Sequence, residues 1–375
     1  LLCASIFGGV EMELYVFDRE LNFVGLLDNF FSLRWVRRYH RAGEFELHCP
    51  LNAHTLELLQ RENIIWKQGD QEAGYIKYRQ LGQDEQGQEV LIIKGDFLTG
   101  YLDRRIIWGQ EILNTTAEVA MRALVDKNAI TPVDPSRVIP FLELGQLQEF
   151  PEEIEYQVSY KNLLEELEKI SNLSELGYRV SVDLLSKKLL FQVYKGRDLT
   201  AAQTANPPAI FSNEFENVLE QQYVDSLHNF RNVALVAGAG EGTDRKLVTV
   251  GQGTGLDRFE LYVDARDLQE EDENGNSIQE ADYEEMLRSR GQSKLAEYAD
   301  LKTFECKINP FSNLRYKEDF DLGDIATCTS KKWGVTIDAQ ITEIEEVYEE
   351  NGFSLNVTFG NSVPTLIDKI KQVVS

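Results

Sequence analysis

In GEFELHC (residues 43–49) Phe45, Leu47 and Cys49 alternate with polar residues, and this period of two predicts a half-buried strand. GYIKYRQLGQDEQGQEVLIIKG (74–95) predicts two strands joined by a polar, glycine-marked turn over residues 82–87. Near the other end, Ile337, Ala339 and Ile341 alternate in TIDAQIT, and Asn351-Gly352 turns the chain into FSLNVTFG, where Phe353, Leu355, Val357 and Phe359 alternate again. Between these β-like ends the period lengthens. Asn114 or Thr115 predicts a cap for a helix carrying Val119, Ala120, Ala123 and Leu124. Ser159 predicts the cap of YKNLLEELEKISNL, where Leu163, Leu164, Leu167 and Ile170 form one stripe. YRVSVDLLSKKLLFQVYKG (178–196) predicts a hairpin turning at residues 186–188. Ser277-Ile278-Gln279-Glu280 has the form of a capping box, opening a helix that runs to about Asp300 with a Glu284–Arg288 pair.

These elements divide the chain. Residues 12–110 read as a first β domain and 111–200 as an inserted α+β domain, with Pro132, Pro135, Pro140 and Pro151 marking its irregular stretch. AAQTANPPA (201–209) reads as a linker. Residues 210–303 are a β segment followed by a helix, 304–362 a second β domain, and 363–375 a short C-terminal helix with Pro364 in its first turn. The class is α+β and β-rich, without the β-α-β alternation of a doubly wound sheet. Residues 1–11 precede the first methionine, Met12, and are expected to be an upstream or added segment. Their apolar run lacks the basic flank of a secretory signal.

Charge narrows the partners. The chain has 375 residues and a formal net charge of −25, which repels phosphate backbones and anionic lipid, so neither nucleic-acid binding nor membrane insertion is expected. No window holds the roughly 18 apolar residues of a membrane span. Cys3, Cys49, Cys306 and Cys328 are scattered and form no CxxC pair, and His48 and Cys49, adjacent in a strand, point to opposite faces. No metal or cofactor site is expected.

The candidate chemistry is sparse. VALVAGAGEGTDRKLVTVG (233–251) brings an apolar strand into Gly238, Gly240 and Gly242. The spacing is G-x-G-x-G, and β-forming residues follow where a phosphate-binding loop needs a helix N-terminus, so a hairpin turn is expected. Glu270, Asp272, Asn274 and Gly275 resemble half of a calcium loop, but its twelfth position is Ala281. There is no GxSxG, HExxH or embedded nucleophilic cysteine. A carboxylate pair for hydrolysis of cell-wall glycan or peptide remains an alternative, as does a carbohydrate-binding face using Trp35, Trp66, Trp108 and Trp333. In LIIKGDFLTGYLDRRII (91–107), Leu98, Tyr101 and Leu102 cluster at helical spacing before Asp103-Arg104-Arg105. The two arginines either pair with Asp103 in solvent or meet an acidic neighbour, which makes Arg104 and Arg105 candidate assembly contacts.

Four segments in order, GDFLTGYLDRRII (95–107), VALVAGAGEGTDRKLV (233–248), EEMLRSRGQSKLAEYA (284–299) and DFDLGDIATC ending in VTFGN (319–361), resemble the tail hub, or tail-tip, proteins of siphophages and prophages. Gly95, Leu102, Arg104, Arg105, Gly240, Gly242, Gly323 and Asp324 match that pattern. The resemblance implies two β-barrel-like domains with α+β pieces, and a homotrimer at the virion tail tip after synthesis in the bacterial host cytoplasm. It implies a non-enzymatic part that closes the tail tube and joins the distal tail protein to fibre, spike or lysin proteins. Many such proteins continue into a peptidoglycan-degrading region. Here the chain stops about 14 residues after VTFGN, and the expectation is that another gene product supplies that activity.

Overall fold

The computed structural model describes residues 5–7, 10–83, 87–242, 245–268, 270 and 277–360. Its centre is one 14-stranded sheet. The strands run Val218–Ser226, Leu301–Ile308, Gly352–Gly360, Val335–Glu349, Ser32–Arg38, Glu44–Pro50, Glu89–Phe97, Ala73–Gln83, Ile64–Lys67, Leu14–Phe17 and Phe23–Leu27. Ile325–Ser330 branches from Val335–Glu349, and on its far side it pairs in parallel with Asp198–Leu199 and Ile210–Phe211. No sheet closes into a barrel among the described residues. The two barrel-like domains implied by the resemblance are instead two arms of one open sheet.

A single 15-residue strand makes the arms continuous. Residues 335–340 of Val335–Glu349 pair with Ile325–Ser330, while residues 343–349 pair with Ser32–Arg38 along the strand's length. Each arm encloses its own core. Trp35, Phe45, Leu47, Ile65, Ile93 and Phe97 fill the first; Phe211, Phe304, Phe320, Ile344, Val357 and Phe359 fill the second. The alternation read from the sequence holds here, with Phe45, Leu47 and Cys49 all buried.

The insertion comes after Leu98–Arg104, a short 3-10 helix whose Leu98 and Leu102 are fully buried. It contains an antiparallel pair, Gln110–Thr116 with Glu153–Ser159, a three-stranded sheet, and two helices, Ala117–Val125 and Leu163–Ser174. The predicted caps move inward. Asn114 and Thr115 are taken by the strand ladder, so the first of these helices starts after Thr116 and exposes Val119. Ser159 is also in a strand, and Asn162 caps Leu163–Ser174 by accepting from the Glu165 amide at 3.1 Å. Residues 178–194 form the expected hairpin.

Val233–Ala237, Leu247–Gly251 and Glu260–Asp264 form a separate three-stranded sheet under the helix Glu280–Ala296, with its own small core of Val236, Val250, Val263, Tyr283 and Leu287. The capping box at residues 277–280 does not form: the helix begins at Glu280 with Gln279 before it and no side-chain cap. The Glu284–Arg288 pair is present at 4.0 Å. The expected helix at 363–375 lies outside the described residues.

The arms and the insertion meet at Tyr39, which comes directly after Ser32–Arg38 and is fully buried. Its hydroxyl, with one proton to donate, lies within hydrogen-bond distance of the carbonyls of Tyr194 at 3.1 Å and Glu175 at 3.3 Å. Gly177 and Gly323 press backbone against its ring. A Cβ on either would lie 2.4 or 2.3 Å from Tyr39 Cε2, and one on Gly196 would lie 2.0 Å from the Gly323 carbonyl carbon. Gly323 also has φ +91°, a conformation that costs an L-residue energy before any clash. Gly323→Ala is therefore expected to destabilise the fold by about 2–4 kcal/mol, read as a lower urea midpoint; an unchanged midpoint would contradict this packing.

Candidate functional site

The segment 95–105 is built on the first arm. Gly95 is required by Phe45 and by the Tyr75 carbonyl, which a Cβ would approach to 2.7 and 1.9 Å. Arg104 does not pair with Asp103. It meets Glu62 at 2.9 Å and lies over the rings of Tyr75 and Tyr101, 4.8 and 4.5 Å from their centroids. Arg105 donates to the carbonyls of Arg137 at 2.5 Å, Arg104 at 2.9 Å and Val138 at 3.4 Å, fixing the insertion to the segment that leads into it. Asp103 instead accepts from Asn162 at 3.1 Å.

The D-L-G-D turn of residues 321–324 binds all three units. Asp321 accepts from Arg37 at 2.7 Å, Leu322 is buried, and Gly323 packs on Tyr39. The buried Asp324 carboxylate takes the Arg197 amide and guanidinium, each at 2.7 Å, and the Asp321 amide at 2.9 Å.

Around this turn lies a buried ionic network that the sequence reading missed. Arg37 reaches Glu72 at 3.3 Å and the Tyr316 hydroxyl at 2.9 Å. Lys67 pairs with Asp70 at 2.9 Å and with Glu346, and Lys317 meets Asp70 at 2.6 Å. The Tyr316 and Tyr348 hydroxyls donate to Glu346 at 3.2 and 2.5 Å. Burial pushes Glu72 above the ordinary glutamate value despite Arg37. Burial also opposes ionisation of Asp70, but Lys67 and Lys317 prevail and hold it well below the carboxylate range. A signal for this network did exist. Arg37 continues the inward register of Leu33 and Trp35, and Glu346 falls between the inward Ile344 and Tyr348. Charge at a core position of a period-two pattern demands a partner.

The outer face of the same strand pair carries a second ladder. Arg34 meets Glu44 at 2.7 Å and also Glu345; Arg38 meets Glu44 at 3.0 Å and Glu343 at 2.7 Å. Partial burial raises the Glu44 pKa, yet the two guanidiniums bring it down to about 2. The junction between the arms is thus fixed by charge on both faces.

Elsewhere the chemistry is structural. Gly240 and Gly242 have φ of +99° and +56° in the loop between antiparallel Val233–Ala237 and Leu247–Gly251, so the glycine stretch is a hairpin turn. The Ala239 amide there donates to the Tyr283 hydroxyl at 2.8 Å. Of the calcium-like loop, Asp272, Asn274 and Gly275 lie outside the described residues, and Ala281 is in the helix Glu280–Ala296. Among the described residues no group of three or more His, Cys, Asp or Glu side chains converges to hold a metal ion. Nor is any helix among them long and apolar enough to cross a membrane. Trp35 is in the core and Trp66 donates to the Asp70 carbonyl at 2.8 Å, while Trp108 and Trp333 are exposed, so the four form no single open row. A cleft of about 420 Å³ between the pair Gln110–Thr116/Glu153–Ser159 and the helix Glu280–Ala296 is lined by Ile112, Tyr156 and Met286 and by the carboxylates of Glu155, Asp282 and Glu285.

This architecture is shared along nearly its whole length with solved tail proteins, two of them from prophages. The 43 kDa tail protein of prophage MuSo2 from Shewanella oneidensis superposes with a TM-score of 0.60 at 11% identity, over 92% of this chain and 98% of that one. The tail protein from Neisseria meningitidis MC58 gives 0.57 at 12% identity over 94% and 97%. Prophage tail protein gp18 from Listeria monocytogenes EGD-e gives 0.55 at 12% identity over 96% and 98%. The fold is that of a prophage tail protein. A comparison with curated proteins finds no match. The family model described as Siphovirus ReqiPepy6 Gp37-like protein matches residues 13–361, and the chain belongs to that phage tail family.

Two outcomes test the ionic junction. Lys67→Met leaves Asp70 and Glu346 buried beside an apolar side chain and is expected to cost about 3–5 kcal/mol in chemical denaturation. Glu44 has a folded pKa of about 2 against an ordinary 4.5, so its contribution is fully present above pH 4.5 and lost as pH falls toward 2. In Glu44→Gln the dependence of unfolding free energy on pH across that window is expected to be shallower than in the native chain.

Proposed function

We propose that this tail protein is the hub of the tail tip, a non-enzymatic homotrimer that closes the tail tube and joins the distal tail protein to fibre, spike or lysin proteins. The observation that carries this reading is the two-armed sheet: one chain offers two β arms, each over its own core and locked to the other by a shared strand. Three such chains would present six arms, which suits a sixfold tube above and a threefold tip below. The end-to-end likeness to solved tail proteins supports the tail role. In this reading the two tube-like domains are the arms, at 12–110 and 304–362, bridged by the segment 210–303. The piece at 111–200 is an insertion whose core runs on into Phe17, Ile64 and Tyr75 of the first arm, and 201–209 connects it to the second arm. Arg104 and Arg105 are assembly contacts at the edge of the insertion. The strongly negative charge suits a channel wall that must not retain DNA.

Immunogold labelling of assembled particles tests the placement. The expected result is label confined to the distal end of the tail, and label spread along the tube would reject it. A cleared zone on host cell walls in a zymogram would instead favour a hydrolase working through a carboxylate pair, for which the cleft beside Glu155, Asp282 and Glu285 would be the place to begin.

A further inference from the structure

One surface departs from the acidic character of the chain. Ile106 bridges to Asn162, and Gln110 pairs with Ser159, so Tyr160 is held beside the 106–110 segment. Ile106, Trp108 and Tyr160 are 51%, 52% and 72% exposed. The Arg137 guanidinium lies over the Trp108 ring, 4.0 Å from its centroid, and donates to the Ile106 carbonyl. Arg105 donates only to carbonyls, and Lys161 is exposed. None of these three cations is ion-paired among the described residues. Nearby, Asp103 accepts from Asn162 and Asp134 from the Ser136 amide, and Asp134 acts on Arg137 through space without an ion-pair contact. Burial and then the positive charges of Arg137 and Arg104 lower the proton affinity of Arg105.

We propose that Arg105, Arg137 and Lys161, with the exposed Ile106, Trp108 and Tyr160, form a docking site for an acidic segment of a partner tail protein that seats an apolar side chain against Trp108. The proposal rests on the tail-assembly reading and names the chemistry of one contact within it. Charge decides the class of partner. A chain of net charge −25 repels a long polyanion over the rest of its surface, so a short run of carboxylates fits where a nucleic acid does not. The exposed rings decide the rest. Apolar and aromatic area next to arginine is the composition of an interface anchor, and a purely charged ligand would leave it uncovered. The guanidiniums are already oriented by carbonyls and by the indole face, so little side-chain freedom is lost on binding.

The test is fluorescence anisotropy with a labelled random glutamate–tyrosine copolymer, compared with labelled polyglutamate and a short duplex DNA at low and high salt. The native chain is expected to bind the copolymer more tightly than polyglutamate and to release it at high salt. Trp108→Ser and Lys161→Glu should each weaken binding by about tenfold, with Trp333→Ser, at an exposed tryptophan elsewhere, unchanged and circular dichroism confirming that all variants fold. Absence of copolymer binding, binding indifferent to both patch variants, or tighter binding of DNA through the same residues would each overturn the proposal. A protein that labels the tail tip in particles yet ignores the copolymer would remove this docking site and leave the hub reading standing.

Discussion

The approach of backbone to the ring of Tyr39 is the constraint on which the architecture turns. Gly177 comes from the insertion and Gly323 from the second arm, each at a distance that excludes any side chain, and Gly196 packs against Gly323. The tyrosine itself directly follows the strand Ser32–Arg38 of the first arm. A ring buried on every side admits no water, so its hydroxyl must find protein acceptors, and it finds two carbonyls of the insertion. Position, burial and hydrogen bonding therefore agree on one arrangement of three units.

Charge then does for specificity what the ring does for packing. Replacing a buried ionic network with apolar residues can stabilise a protein, so stability alone does not explain Arg37, Lys67, Asp70 and Glu346. Their geometry imposes register. Arg37 can satisfy Glu72, Asp321 and Tyr316 only when the strand Val335–Glu349 and the turn at 321–324 are in place. Slipping the pairing of Ser32–Arg38 by one residue would turn Arg37 outward and Arg34 and Arg38 into the core. For a molecule whose proposed work is geometric, fixing the angle between two arms is worth the desolvation.

Much of this was legible from the chain, and the exceptions share a cause. Strands with one buried face were clear from their alternation, including Glu44–Pro50 and the hairpin ending in Gly352–Gly360, because a period of two survives any tertiary context. The helices do not start at Asn114, Ser159 and Ser277. Each has the chemistry of a cap, but the first two were claimed by ladder hydrogen bonds and the third lies three residues before the helix begins. Local propensity is weak beside pairing that spans the molecule. The glycine loop was readable because the β-forming run Leu247–Gly251 after it leaves no room for a helix. The pairing of Asp321 with Arg37 was not, since nothing local links residues so far apart. Arg104 and Arg105 were visible as residues, while their partners Glu62, Arg137 and Val138 were not.

The shared strand also has a temporal consequence. Arg34 and Glu345, neighbours across the junction, are separated by 311 positions along the chain. At roughly 5–20 residues per second of synthesis, the strand Ser32–Arg38 waits about 15–60 s on the ribosome before its second neighbour exists. Through that interval the nascent first arm carries an open ladder edge, the kind of surface that recruits stray β-segments. Completion of the first arm's ladder is thereby tied to completion of the chain.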